Sequence, residues 1–228
     1  QYRSAAPQRE VAALGPQLTS ALPAAWRAGA DGIFELIELP GGVRVRCRDL
    51  LTSGSYNYVY RGSVAEDKVV VKYAYISDDD HRVFLMENML HAVLGVHAEA
   101  RAVVPALRSV FRLATGAIYP KHRFGSCIED PGHGDVGEFL ESERFCSAEQ
   151  VVALLVQVCV WLQKLQATLR FQHRDLKVDN LLLTLGNPDV VVVDGEAADK
   201  PAWRCPTGGL GCLMIDFGMA RLELGGEY

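Results

Sequence analysis

The stretch His173-Arg174-Asp175-Leu176-Lys177-Val178-Asp179-Asn180, with Asp216-Phe217-Gly218 further along, decides how this chain reads. The first segment sets a carboxylate, an ammonium and an amide on one short loop. A carboxylate such as Asp175 can orient a hydroxyl and accept its proton. The amide of Asn180 and the carboxylate of Asp216 are hard oxygen donors of the kind Mg²⁺ takes alongside substrate phosphates. Lys177 lies between them as a point charge. Carboxylate and amide are close enough in sequence for one rigid loop to face both a hydroxyl and a metal.

Working outward, Ser147 to about Thr168 carries apolar residues at Val151, Leu154, Leu155, Val158, Trp161, Leu162 and Leu165. That spacing predicts a helix leading straight into Phe171-Gln172-His173. Ser147 and Gln150 form a capping box at its start. After the loop, Leu181 to Leu183 read as a strand, with Cys212 to Ile215 as its hairpin partner. More chain separates the two than a hairpin needs. Residues 186–211 are therefore read as an insertion, with Asp189 to Val193 as an extra strand and Asp194 and Glu196 as surface loop.

Upstream the period changes to two. Val43, Val45 and Cys47 alternate with Arg44, Arg46 and Arg48, which predicts a half-buried strand. Tyr58 to Val64 and Lys68 to Tyr75 read as two more, joined by Ala65-Glu66-Asp67, so an antiparallel sheet is expected. In the turn between the first two strands stands Gly54, followed by Asn57 and Val59. Lys72 follows the apolar triplet Val69-Val70-Val71, and a buried lysine needs a partner or a ligand. Ser77 can cap the next helix, with Asp78, Asp79 and Asp80 in its favourable first turn. A stripe of Val83, Met86, Met89, Leu90 and Val93 would bury one side. Glu87 on that helix and, as the alternative, Glu99 are carboxylates that could partner Lys72. Leu107 to Leu113 and Ala117 to His122 read as a hairpin around Thr115-Gly116. Residues 125–134 read as a polar loop and 135–140 as a short helix. Residues 1–30, broken by Pro7, Pro16 and Pro23, read as a loose arm with one short helix. No internal repeat is apparent.

The 228 residues carry a formal net charge of −5, which fits a globular chain and gives no support to a nucleic-acid surface. The basic run Arg101, Arg108, Arg112, Lys121, His122 and Arg123 reads as a solvated strand edge. No uninterrupted apolar run reaches the ~18 residues of a membrane span, and no signal peptide is apparent. The six cysteines are scattered without a C-x-x-C pair, so free thiols in a reducing compartment are expected.

Taken in order, Gly54, Val59, Lys72, Glu87, Asp175, Lys177, Asn180 and Asp216 resemble the eukaryotic-type protein kinase superfamily from about Leu51 onward. His173 to Asn180 matches its H-R-D-L-x-x-x-N loop and Asp216 to Gly218 its D-F-G. Lys177 is similar to the serine/threonine-specific branch. Departures are clear: Thr52 and Asn57 replace two glycines of the G-x-G-x-x-G-x-V turn, and Val178-Asp179 replaces Pro-Glu. Such divergence resembles outlying kinases of large DNA viruses or some protists.

The resemblance implies an α+β fold, with an antiparallel-sheet N-lobe carrying one main helix and a partial, mainly helical C-lobe. It implies an arm at 1–30, an N-lobe at 31–122, and hinge plus partial C-lobe at 123–228. The implied function is ATP- and Mg²⁺-dependent phosphoryl transfer to Ser/Thr hydroxyls of proteins, inside a cell (cytoplasm or nucleus, of the host if the chain is viral). Asp175, Lys177, Lys72 and Glu87 would be catalytic, Glu87 as the glutamate that the resemblance implies on the helix after Lys72, paired with it. Gly54, Val59, Lys72, Tyr119, Asn180 and Asp216 would hold the nucleotide, with Asn180 and Asp216 on the metal. Tyr119 to Arg123 would be the hinge. The partner would be a protein substrate, with no nucleic acid and no membrane; oligomeric state is left open. The chain opens on Gln1 and stops at Tyr228, short of an A-P-E motif, which reads as a fragment or a reduced lobe. The alternatives are a pseudokinase-like module that binds nucleotide or a partner, and a small-molecule phosphotransferase.

Overall fold

The computed structural model describes residues 23–28, 34–39, 42–53, 57–74, 80–113, 124–142, 147–186, 190–193 and 203–223. The chain divides into two compact units, residues 1–96 with 105–130, and residues 97–104 with 131–228.

In the first unit, β1 (Pro23–Ala28), β2 (Phe34–Glu38), β3 (Arg44–Ser53), β4 (Asn57–Val64), β5 (Asp67–Ala74), β6 (Leu107–Leu113) and β7 (Phe124–Glu129) surround one core. The order β1-β2-β3-β4-β5-β7-β6 closes into a barrel. Every neighbouring pair is antiparallel except β1 with β6, the parallel pair that closes the ring. Alternation along β3, β4 and β5 sends Val45, Cys47, Tyr60, Val69, Val71 and Tyr73 inward. There the Tyr73 ring meets Tyr60 at 5.7 Å and Phe111 at 5.9 Å, both edge-on. The other face of the sheet carries the helix α1 (Asp80–Val96), with Ala74, Phe84 and Phe124 forming a small second core.

Three features differ from the sequence expectation. The segment read as a loose arm contributes β1. Pro and Ala are poor strand formers, so pairing with β2 and β6 rather than local propensity makes this strand. Second, the partner of β6 is β7 at Phe124–Glu129, which apart from Phe124 falls in the stretch 125–134 read as a polar loop; residues 117–122 lie outside the described residues. Phe124, Gly125, Ser126 and Cys127 are all buried between β5 and β6, so no two-residue alternation marks the strand. Gly125 is a packing requirement: a Cβ there would stand 2.4 Å from Phe111 Cζ and 3.2 Å from the Lys72 carbonyl oxygen. Third, Val83 and Met86 of the expected helix stripe are exposed, while Phe84, Asn88, His91 and Leu94 are buried.

The second unit is mixed rather than mainly helical. Among the described residues it holds α2 (Val136–Glu141), α3 (Ala148–Leu169), 3₁₀ turns at Val178–Asn180 and Phe217–Met219, and the strands β8 (Leu181–Leu185), β9 (Val190–Val193), β10 (Trp203–Pro206) and β11 (Leu210–Met214). β8 pairs β11 and β9 pairs β10, both antiparallel. The expected capping box is present: Ser147 Oγ accepts from the Gln150 N–H, and the Gln150 side chain accepts from the Ser147 N–H. α3 packs against β9, β10 and β11, so the insertion covers part of this helix. Gln157, buried on α3, donates to the Leu210 carbonyl at 3.0 Å. With 22 residues and a mean hydropathy of 1.5, α3 is long and apolar enough to cross a membrane. Its buried face and capped start are also those of a core helix.

Candidate active site

Strand register decides what surrounds Lys72. Residues directly opposite in a ladder point to the same face. Val59 of β4 pairs Lys72, and Lys72 pairs Ser126 of β7. The three form a row on the face opposite the buried Val71 and Cys127. On that face the Lys72 ammonium reaches Glu87 Oε1 of α1 at 2.7 Å, with the two side chains 20 % and 15 % exposed. Glu99 lies exposed in the turn beyond α1. Gly54 and the expected hinge residues around Tyr119 lie outside the described residues, as does Ser77.

In the second unit the loop after α3 is tied down before it reaches Asp175. Arg170 ends the helix in the left-handed conformation; its N–H donates to the Gln166 carbonyl at 3.0 Å and the Phe171 N–H to the Leu165 carbonyl at 3.2 Å. Gln172 and Arg221 exchange two backbone hydrogen bonds, at 2.8 and 2.9 Å. The Glu223 N–H donates to Leu169 O at 2.9 Å, and Glu223 also pairs Arg170 at 3.3 Å. The His173 ring lies beside Phe171 and Phe217, with centroids 6.2 and 5.5 Å away. Its Nε2 is 2.9 Å from the Ile215 carbonyl oxygen. Burial lowers the His173 pKa, against the opposing pull of that carbonyl, Asp216 and Asp175. The ring is thus neutral at pH 7, and because a carbonyl only accepts, the N–H sits on Nε2. Among the described residues its buried Nδ1 has no partner.

Beyond His173 the reactive groups converge. Asn180 Nδ2 donates to the Asp175 carbonyl at 2.8 Å and to Asp175 Oδ2 at 3.2 Å. The Lys177 ammonium stands 4.0 Å from the same Oδ2. The Ile215 N–H donates to the Asn180 carbonyl at 3.0 Å, so Asp216 begins where β8 and β11 bring their ends together. Arg174 and Asp216 both hold positive φ, +66° and +63°. Such non-glycine conformations cost of order 1–3 kcal/mol and gather at functional sites.

The donor chemistry suits Mg²⁺ in one specific way. Asn180 spends its N–H groups on Asp175, which leaves Oδ1 as a hard oxygen donor; the carboxylate of Asp216, the residue after the Ile215 whose N–H meets the Asn180 carbonyl, is a second. No cluster of three or more His, Cys, Asp or Glu able to cage a metal occurs among the described residues. Two protein oxygens completed by phosphate and water are how proteins commonly hold Mg²⁺ with a nucleotide.

The structure thus places Lys72 with Glu87, and Asp175 with Lys177, Asn180 and, through Ile215, Asp216. Sequence reading missed His91, buried one turn beyond Glu87, although the i, i+4 spacing was there to see. It also missed the bridge from Gln172 to Arg221, which carries no local signal.

No family model matches the chain. The chain is similar to "Putative serine/threonine-protein kinase 019R" of Frog virus 3 (isolate Goorha), with 30 % identity over 76 residues. That match covers 33 % of this chain and 9 % of the viral protein, so the chain matches only a small part of that relative. A distant, partial relation to a kinase-like protein and an α+β fold with a curled antiparallel sheet, compatible with a kinase N-lobe, are what the comparisons and the fold support together.

Proposed function

We propose that this chain carries out ATP- and Mg²⁺-dependent phosphoryl transfer to serine or threonine hydroxyls of a protein, in an intracellular compartment. The observation that carries the reading is the hydrogen-bonded set Asp175–Asn180, with Lys177 beside it and Asp216 adjoining. Transfer of a phosphoryl group needs position and positive charge more than covalent help from the protein. Asp175, oriented by Asn180 Nδ2, holds an acceptor hydroxyl and takes its proton late in transfer. Lys177 supplies positive charge at the transferring group. Asn180 Oδ1 and the Asp216 carboxylate are the residues that would hold Mg²⁺, whose charge offsets that of the phosphate oxygens. Lys72, kept in place by Glu87, binds phosphate oxygens of the nucleotide, with Val59 beside it for the base. His173 and Phe217 brace the loop from behind.

The test is binding of ATP as Mg²⁺ is titrated, followed calorimetrically. Wild type is expected to bind ATP more tightly as Mg²⁺ rises, and Asp216→Asn to lose that dependence while keeping the circular dichroism of the wild type. ATP affinity indifferent to Mg²⁺ in wild type, or unchanged Mg²⁺ dependence in Asp216→Asn, would remove the assignment. ATP binding without transfer in any assay would leave the nucleotide-binding module as the better account.

A further inference from the structure

We propose that His91 is a positioning residue that latches α1 to the sheet and thereby holds Glu87 at Lys72. The proposal rests on the reading of Lys72 as a nucleotide ligand. Glu87 and His91 are four apart, so they stack on one face of α1. The His91 ring is buried, and its Nε2 lies 2.7 Å from the Pro105 carbonyl oxygen. Burial lowers its pKa, with the Lys72 charge adding in the same direction against the Pro105 carbonyl. The ring is neutral, and its N–H points to Pro105.

The bond closes a circuit. Pro105 adjoins Ala106, whose carbonyl accepts from the Glu129 N–H of β7 at 2.9 Å. β7 pairs β5, with Ser126 opposite Lys72. Lys72 bonds Glu87 at 2.7 Å, and α1 returns the path to His91. The barrel therefore fixes Pro105 relative to Lys72, and the latch fixes the rotation and axial position of α1 relative to both. A helix turns 100° and rises 1.5 Å per residue, so a shift of one residue breaks both contacts together. Apolar burial alone is non-directional. Val83 and Met86 on the exposed side show that α1 is apolar on two faces, so packing by itself selects its rotation poorly.

Two measurements test this. In the first, Mg²⁺–ATP affinity is compared for wild type, Glu87→Gln, His91→Leu, His91→Asn and His91→Gln. Gln can place an N–H where Nε2 stands; Asn is too short and Leu has no donor. His91→Leu and His91→Asn should weaken ATP binding by the same factor as Glu87→Gln, without adding to it in the double variant, and His91→Gln should restore most of it. In the second, the Lys72–Glu87 coupling is measured by urea unfolding in the His91→Asn and His91→Gln backgrounds, where it should fall by half or more and be retained, respectively. Equal coupling in both backgrounds overturns the latch whether or not ATP binds. If wild type binds no ATP but the coupling falls as expected, the nucleotide reading fails and the latch stands.

Discussion

The Lys72–Glu87 pair gives the most quantitative handle on the first unit. At 2.7 Å two unit charges in an effective dielectric near 20 attract by about 6 kcal/mol before any cost is counted. Desolvation of both groups offsets most of this. Exposed pairs contribute about 0–1 kcal/mol, and breaking a fully buried pair costs about 3–5 kcal/mol. With the side chains 20 % and 15 % exposed, the pair falls between, and a coupling of about 2 kcal/mol is expected, roughly thirty-fold in the unfolding constant. The perturbation is a cycle of Lys72→Met, Glu87→Gln and the double variant. Gln keeps an acceptor in place, so the cycle reads the charge. The assay is urea unfolding followed by circular dichroism and by tryptophan fluorescence, whose transitions must coincide for the analysis to hold in a two-unit chain. A coupling below about 0.5 kcal/mol, the range of exposed pairs, would refute the argument that α1 and β5 are joined through this contact.

Other outcomes follow from particular contacts. Asn180→Ala removes both hydrogen bonds to Asp175 and one of the two oxygens assigned to Mg²⁺; misplacement of a reacting group by about 1 Å can cost ~10²-fold, so transfer should fall by at least that order and the Mg²⁺ dependence of ATP binding should weaken with it. Gly62→Ala would put a Cβ 2.7 Å from the Arg46 carbonyl oxygen and should cost about 1–3 kcal/mol in urea unfolding. Gly95, in α1 with nothing within 4 Å of its Cβ position, should instead gain roughly 0.5–1 kcal/mol on replacement by Ala. His91 and His173 both have pKa values lowered from 6.5 in the folded chain, chiefly by burial. The unfolded chain therefore binds protons first, so their contribution to stability is full above 6.5 and is lost as pH falls from there through the folded values. Unfolding midpoints from pH 8 to 5 should drop below about 6.5, and His91→Gln should flatten part of that slope.

The parts legible in the sequence were those written locally. The capping box of α3, the Leu181 and Cys212 strands and the Asp175-to-Asn180 loop each depend on residues close in the chain. Lys72 was legible because a lysine in an apolar strand demands a partner or a ligand, and Glu87 because the kinase resemblance implies a glutamate on the next helix. What escaped depends on distant pairing. β1 exists because β2 and β6 flank it. β7 is buried on both faces and carries Gly125 for the sake of the Phe111 ring, so its glycine read as a loop. On α1 the polar Asn88 and His91 sit on the buried side. Asn88 is satisfied by the Phe84 carbonyl at 2.8 Å and His91 by Pro105, so counting apolar residues placed Leu90 and Val93 on the buried side correctly but misplaced Val83 and Met86.

The central claim is that Asp175 takes part in phosphoryl transfer, and γ-phosphate transfer from ATP in the presence of Mg²⁺ tests it most directly. The measurement compares wild type with Asp175→Asn, in this chain and in the longest product of its gene, using Ser- and Thr-containing protein acceptors. The account predicts transfer by wild type, with Asp175→Asn slower by ~10²–10⁴-fold at nearly unchanged ATP affinity. Equal rates for the two proteins would contradict it.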